Sequence, residues 1–260
     1  MTPVRTLFAI CAFFVHLNGF AQVTANFCGD LKNGYGPFDY RADHHIQAPG
    51  DQMPHPEKRV LVEGAHFTPR VENLIGAQSS GKVGPPGADL DYTLRAFPNN
   101  HRALISVMRY GEKTGSQQPP GLPRVVECYF ERALRFKPND TVARIIYSTY
   151  LTKNKREPEA IAQLEQTTRM AGDNAFTHYN IGLAYFDMKL YDKALVQAHR
   201  AMELGFERTH LRDLLQKAGQ WKEPVSATVG SLPDTAASAP AVTGVAPHTE
   251  APVSTPKAAQ

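Results

Sequence analysis

The chain has no Cys-x-x-Cys pair, no two histidines at helical His-x-x-x-His spacing, no Gly-x-Ser-x-Gly and no Gly-Lys-Ser/Thr string. Each absence removes a chemistry. Without paired cysteines there is no dithiol redox centre, and without Cys-x-x-Cys-His no haem is attached through thioethers. Without two histidines one helical turn apart, a zinc site built on one helix is excluded. The glycine-rich stretch around Gly81–Gly87 lacks the lysine and hydroxyl that would hold phosphate and magnesium. Ser79 and Ser80 lack the strained elbow that exposes a nucleophilic serine. A concentrated charge of one sign is missing too: Lys and Arg number 28 against 25 Asp and Glu, a net +3. Binding to phosphate requires a dense basic face, so a nucleic-acid partner has no support. Nor does any apolar run reach the roughly 20 residues that span a bilayer.

What is present at the N-terminus is a short leader pattern. Arg5 precedes the apolar run Leu7–Val15, and Gly19-Phe20-Ala21 places small residues where a signal peptidase cuts. Residues 1–21 are therefore expected to be a signal peptide, with Val23-Thr24-Ala25 offering a second cleavage site. Cys11 would leave with the leader. Cys28 and Cys128 then remain as a pair in an exported chain, where an oxidising compartment favours a disulfide. This predicts a periplasmic or secreted protein.

Between Asn174 and Phe206 two segments carry apolar residues at helical period, Ala175–Met188 and Tyr191–Leu204, joined by Lys189 and Leu190. Gly182 and Ala184 on the first, and Ala194, Ala198 and Ala201 on the second, are small where two antiparallel helices must touch. Ile181, Tyr185, Tyr191 and Leu195 fill the seam. The order Ile181, Gly182, Tyr185, Ala194, Ala201, Phe206 resembles the tetratricopeptide repeat (TPR), in the form found in exported bacterial proteins.

The turn before this hairpin recurs upstream. Arg95–Asn100 (RAFPNN) parallels Arg135–Asp140 (RFKPND), and Gly172, Asp173 and Asn174 take the same place later. Pro138 to Gly172 is 34 residues and Gly172 to Phe206 is again 34, the period of the family that the hairpin resembles. Pro98 to Pro138 is 40, and the excess fits an insertion at Gly111–Pro123. The expected fold is mainly α: a TPR-like solenoid of helical hairpins over residues 67–220, with about three to four units. The units are Phe67–Asn100, His101–Asp140, Thr141–Asn174 and Ala175–Arg208, closed by a terminal helix at Thr209–Ala218. In the first unit Thr68-Pro69 opens a helix to about Ala77, and a glycine-rich loop, Ser79–Gly87, leads to a second.

The flanks differ from the repeats. Residues 22–66 are rich in turn formers, with Arg59–Glu63 (RVLVE) as a short strand. Tyr35, Phe38 and Tyr40 are too aromatic for a bare linker, so this arm should pack on something. Residues 221–260 are an Ala/Pro/Thr-rich tail expected to be disordered.

The resemblance implies a binding scaffold, not an enzyme, with no cofactor. In such repeats the first helix of each hairpin faces a concave groove. That puts Arg102, Ile105 and Arg109, then Ile145 and Thr149, then Phe176, Tyr179, Leu183 and Phe186 on the groove wall. The family's carboxylate clamp uses Lys and Asn at positions where this chain has Ile105, Arg109 and Phe176, so that activity does not carry over. A groove basic at one end and aromatic at the other suits a protein or peptide of the cell envelope. An alternative places Phe176, Tyr179 and Phe186 under the N-terminal arm. A second functional class would be a metal-binding or enzymatic site in the N-terminal region, drawing on His44, His45, His66 and His101 with Asp39, Asp43, Asp89 and Asp91. It requires His66, His101 and two carboxylates to converge.

Overall fold

The computed structural model describes residues 27–42, 55–79 and 82–224. The proposed leader and almost all of the tail lie outside them, as do Asp43, His44 and His45. The described chain is mainly helical: α1 (His55–His66), α2 (Pro69–Glu72), α3 (Gly87–Ala96), α4 (His101–Thr114), α5 (Val126–Phe136), α6 (Thr141–Lys153), α7 (Glu157–Ala171), α8 (Ala175–Asp187), α9 (Tyr191–Glu203) and α10 (His210–Lys217). A small antiparallel pair, β1 (Ala77–Ser79) and β2 (Lys82–Gly84), sits between α2 and α3. All these elements belong to the unit that ends at Lys222.

The recurring turns start and stop helices by one device each. Asn100, Asp140 and Asn174 cap α4, α6 and α8, their side chains accepting from the amides of Ala103, Ala143 and Thr177 at 3.1, 3.0 and 2.8 Å. Such a cap satisfies an amide that the first helical turn leaves without a partner. At the other end the chain enters the left-handed region at Gly115, Lys155 and Lys189, with φ of 62°, 61° and 60°. There the next residue's amide bonds back to the carbonyls of Gly111, Leu151 and Tyr185.

Pairing follows from these turns. α6 packs on α7 and α8 on α9, while α4 touches α6 and α6 touches α8, so the first helices stand in a row. One core runs from Phe67 and Val71 through Leu104, Phe130 and Leu151 to Ala160, and a second from Leu164 through Ile181 and Ala198 to Leu215. Met188 packs against both. Gly182 lets α10 approach closely: a Cβ there would lie 2.4 Å from Leu211 Cδ2, so the Leu211 side chain would have to shift. Trp221 packs on the second core, edge-on to His199 and over Arg212, so the folded part continues past the expected boundary at 220.

The N-terminal region departs from the sequence expectation at three places. Arg59–Glu63 is not a strand but the middle of α1. A short β-branched run does not distinguish strand from helix by period alone. Here Lys58 and Val62, one turn apart, are buried, with Lys58 over the Phe38 ring at 4.6 Å, which selects the helix. α2 stops at Glu72, well short of Ala77, because the chain reverses at Leu74 (φ 56°), and the Thr68 side chain makes no capping hydrogen bond. The expected glycine-rich loop is partly the β1–β2 hairpin.

The aromatic arm does pack. Phe38 and Tyr40 meet Phe97 with ring centroids 5.4 and 6.5 Å apart, and the Phe38 amide bonds the Ala96 carbonyl at 2.8 Å. The Cys28–Cys128 disulfide forms and ties the arm to α5. Around it Arg132 donates to the carbonyls of Cys28, Gly29 and Asp30, Arg124 to Cys28 and Arg135 to Gly29.

Candidate partner-binding surface

The row formed by α4, α6 and α8 carries the expected groove residues as stripes one helical turn apart. On α4 the stripe is Arg102, Ile105, Arg109 and Glu112; on α6 it is Ile145, Thr149 and Lys153. On α8 it is Phe176, Tyr179, Leu183 and Phe186, with Asp187 at the end. Arg102, Arg109 and Phe176 are exposed, while Ile105, Ile145, Thr149, Leu183 and Phe186 are half-buried. Ile105 packs against the first core, and Ile145, Leu183 and Phe186 pack against the second. Thr149 turns its hydroxyl back to the Ile145 carbonyl at 3.2 Å.

Tyr179 does not stand on the wall. It is only 7% exposed, lying under Phe206 with ring centroids 4.6 Å apart. The same Phe206 ring approaches Phe176 at 6.2 Å, but Phe176 stays 49% exposed. The cover on the aromatic end thus includes the turn after α9, and Phe38 and Tyr40 of the arm pack elsewhere, on Phe97.

The basic end is internally neutralised. Arg102 Nε donates to Glu72 Oε1 at 2.9 Å, and its NH1 lies 3.7 Å from Glu63. The hydrogen bond from Arg102 holds the Glu72 carboxyl below its ordinary range, and Arg109 adds to that pull. Further along the row, Lys153 pairs with Glu112 at 3.2 Å. Burial pushes the Asp187 carboxyl up, against the opposing charge of Lys153. Glu112 and Lys153 continue the stripes by period and could have been found from the sequence. Glu63 and Glu72 could not, since they reach Arg102 only through folding of α1 and α2.

Among the described residues of the expected cluster, His66 and His101 do not converge. His66 Nδ1 meets Asp89 at 2.9 Å with its ring stacked on Tyr92 at 3.9 Å. His101 Nε2 meets Asp140 at 2.9 Å, and Asp140 already caps α6 and receives Arg41 at 3.3 Å. Asp91 is taken by Arg95, Arg124 and Tyr129. Among the described residues no group of three or more His, Cys, Asp or Glu side chains could hold a metal ion. None of their helices is long and apolar enough to cross a membrane.

The chain matches no protein-family model and no curated protein.

Proposed function

We propose that this chain is a non-enzymatic scaffold of the TPR kind, working outside the cytoplasm, that holds a peptide segment of a cell-envelope protein along the α4–α6–α8 row. The observation that carries this is the repetition of one cap and one turn on three successive first helices, which lines up their outward stripes on one surface. Aligned stripes offer an extended or helical segment a series of equivalent footholds. The exposed Phe176 ring supplies an apolar foothold, and the Cys28–Cys128 bridge fits an oxidising compartment.

Arg102 is taken by Glu72 and Lys153 by Glu112, so the partner is recognised by apolar contact more than by charge, with exposed Arg109 as a cationic foothold. A photo-crosslinking residue placed at Phe176 or Arg109, compared with one at exposed Val196 on α9, tests the assignment in envelope extract. Capture of one defined protein from the first two positions and not from Val196 is the expected result. Equal capture from all three, or from Val196 alone, rejects the row as the binding face.

A further inference from the structure

The connection between α4 and α5 departs from the tight turns of the hairpins that follow it and borders a cavity. α6–α7 and α8–α9 are joined by tight turns, whereas α4 and α5 are separated by residues 115–125. This connection forms one wall of a cavity of about 380 Å³, whose other walls are the ends of α4 and α6. Met108, Val126 and Tyr150 make its apolar side, and Glu112, Ser116, Gln117, Lys153 and Asn154 its polar side. Those two charged residues also end the stripes of α4 and α6, so the cavity adjoins the row of first helices.

The wall is preformed. The Ser116 amide donates to the Gly111 carbonyl at 3.2 Å and the Val126 amide to Gln117 at 2.7 Å. Further along the same connection, beyond the lining, the Tyr110 hydroxyl donates to the Pro120 carbonyl at 3.0 Å and Gln118 Nε2 to Leu122 at 3.0 Å. A rigid concavity that sets an apolar side against polar groups can hold a ligand, and rigidity lowers the ordering cost of binding. Insertions in repeat proteins also tend to fall on the binding face.

We infer that this cavity is an anchor pocket for an aromatic side chain of the bound segment; this rests on the peptide-binding function proposed above. The lining selects the class. The Met108 thioether and the Tyr150 ring favour an aromatic guest through sulfur–aromatic and ring–ring contact, and Lys153 can sit over its face. Glu112 and Lys153 already pair at 3.2 Å, so the pocket carries no net charge and a neutral guest fits it best.

The test uses N-acetyl-L-tryptophanamide, N-acetyl-L-leucinamide and N-acetylglycinamide as probes, with the methionine methyl signals of the full chain followed by NMR. The tryptophan amide should shift the Met108 methyl saturably, in the millimolar range, and leave Met202 unmoved. It should bind about tenfold more tightly than the glycine amide, with the leucine amide between. Lys153→Trp, at a rim position 47% exposed, places an indole over the opening and should weaken the response about tenfold. Val196→Ala, on the exposed side of α9, should leave it unchanged. No shift at Met108, an equal response to all three amides, or full binding in Lys153→Trp overturns the pocket. Crosslinking at Phe176 would still decide the groove separately, because that position lies outside the cavity.

Discussion

The side-chain amide of Asn99 donates to Asp39 at 2.7 Å and to Asp140 at 2.8 Å, while its carbonyl accepts the Tyr40 amide at 2.9 Å. One buried residue thus joins the arm to the turns that begin α4 and α6. Asn99→Ala leaves two carboxylates and a backbone amide short of a partner. It should cost about 2–3 kcal/mol, read as a lower urea midpoint. Asn99→Asp should cost more, since it puts a third carboxylate between the other two.

The same cluster sets an acid limit. Burial alone would raise the Asp39 carboxyl, but hydrogen bonds from Arg41 and Asn99 outweigh it and hold the group well below the usual range. For Asp140 burial is likewise overcome, here by His101 and the Ala143 amide. Both folded values lie below the unfolded ones. Their contribution is therefore present above the ordinary carboxylate range and lost as pH falls through the depressed values. Asn99→Ala should narrow the gap for Asp39 and Asp140, so the variant should unfold at higher pH than the parent in an acid titration followed by circular dichroism.

Glu131 works in the opposite sense. The Tyr147 hydroxyl has one proton but faces Glu127 at 2.7 Å and Glu131 at 3.2 Å. Burial pushes the Glu131 carboxyl up, with Glu127 adding to the rise. A raised folded value means stability that is complete below the unfolded pKa and declines as pH rises through the folded one. Glu131→Gln keeps the shape and removes the titration. It should be more stable than the parent at neutral pH and lose the decline, as measured by urea denaturation across pH 4–8.

Removing the disulfide should be the largest single loss. Cys28 and Cys128 are 100 residues apart, and the chain-entropy account assigns on the order of 4 kcal/mol to a closed loop of that length. The pair is buried, with each cysteine 2% exposed. Cys28→Ser with Cys128→Ser should lower the unfolding free energy by that amount, read as a fall in the urea midpoint. It should also open the arm to proteolysis near Tyr35–Arg41, sooner than the helices.

Gly87→Ala tests the packing of the α4–α5 connection on α3. The added methyl would meet the backbone at Pro120, Gly121 and Leu122, which cannot swing away as a side-chain tip could. A loss of about 1–3 kcal/mol is expected, read by urea denaturation, because the connection must move.

Helices α4 to α10 were legible in order because each signal is local. Asn100, Asp140 and Asn174 are good caps, Pro98 and Pro138 end the helices before them, and the small residues of α8 and α9 mark their seam. The Cys28–Cys128 pairing was legible from the even count that remains once Cys11 is set aside with the expected leader. Where short-range signals conflicted, they failed: Arg59–Glu63 has the composition of a strand and the packing of a helix. The exposure of Tyr179 was misjudged for a related reason, since Phe206 lies a whole hairpin away in sequence.

Residue order alone determined the helical hairpins, their spacing of 40 and then 34, and the stripes that the first helices carry, because capping, period and turn chemistry act over a few residues. Tertiary structure alone decided that Glu63 and Glu72 neutralise Arg102, that Phe206 covers Tyr179, that His66 and His101 part to different carboxylates, and that the inserted loop encloses a cavity. Those outcomes depend on which distant surfaces meet, and that is settled by the joint burial of apolar and charged groups across the whole folded unit.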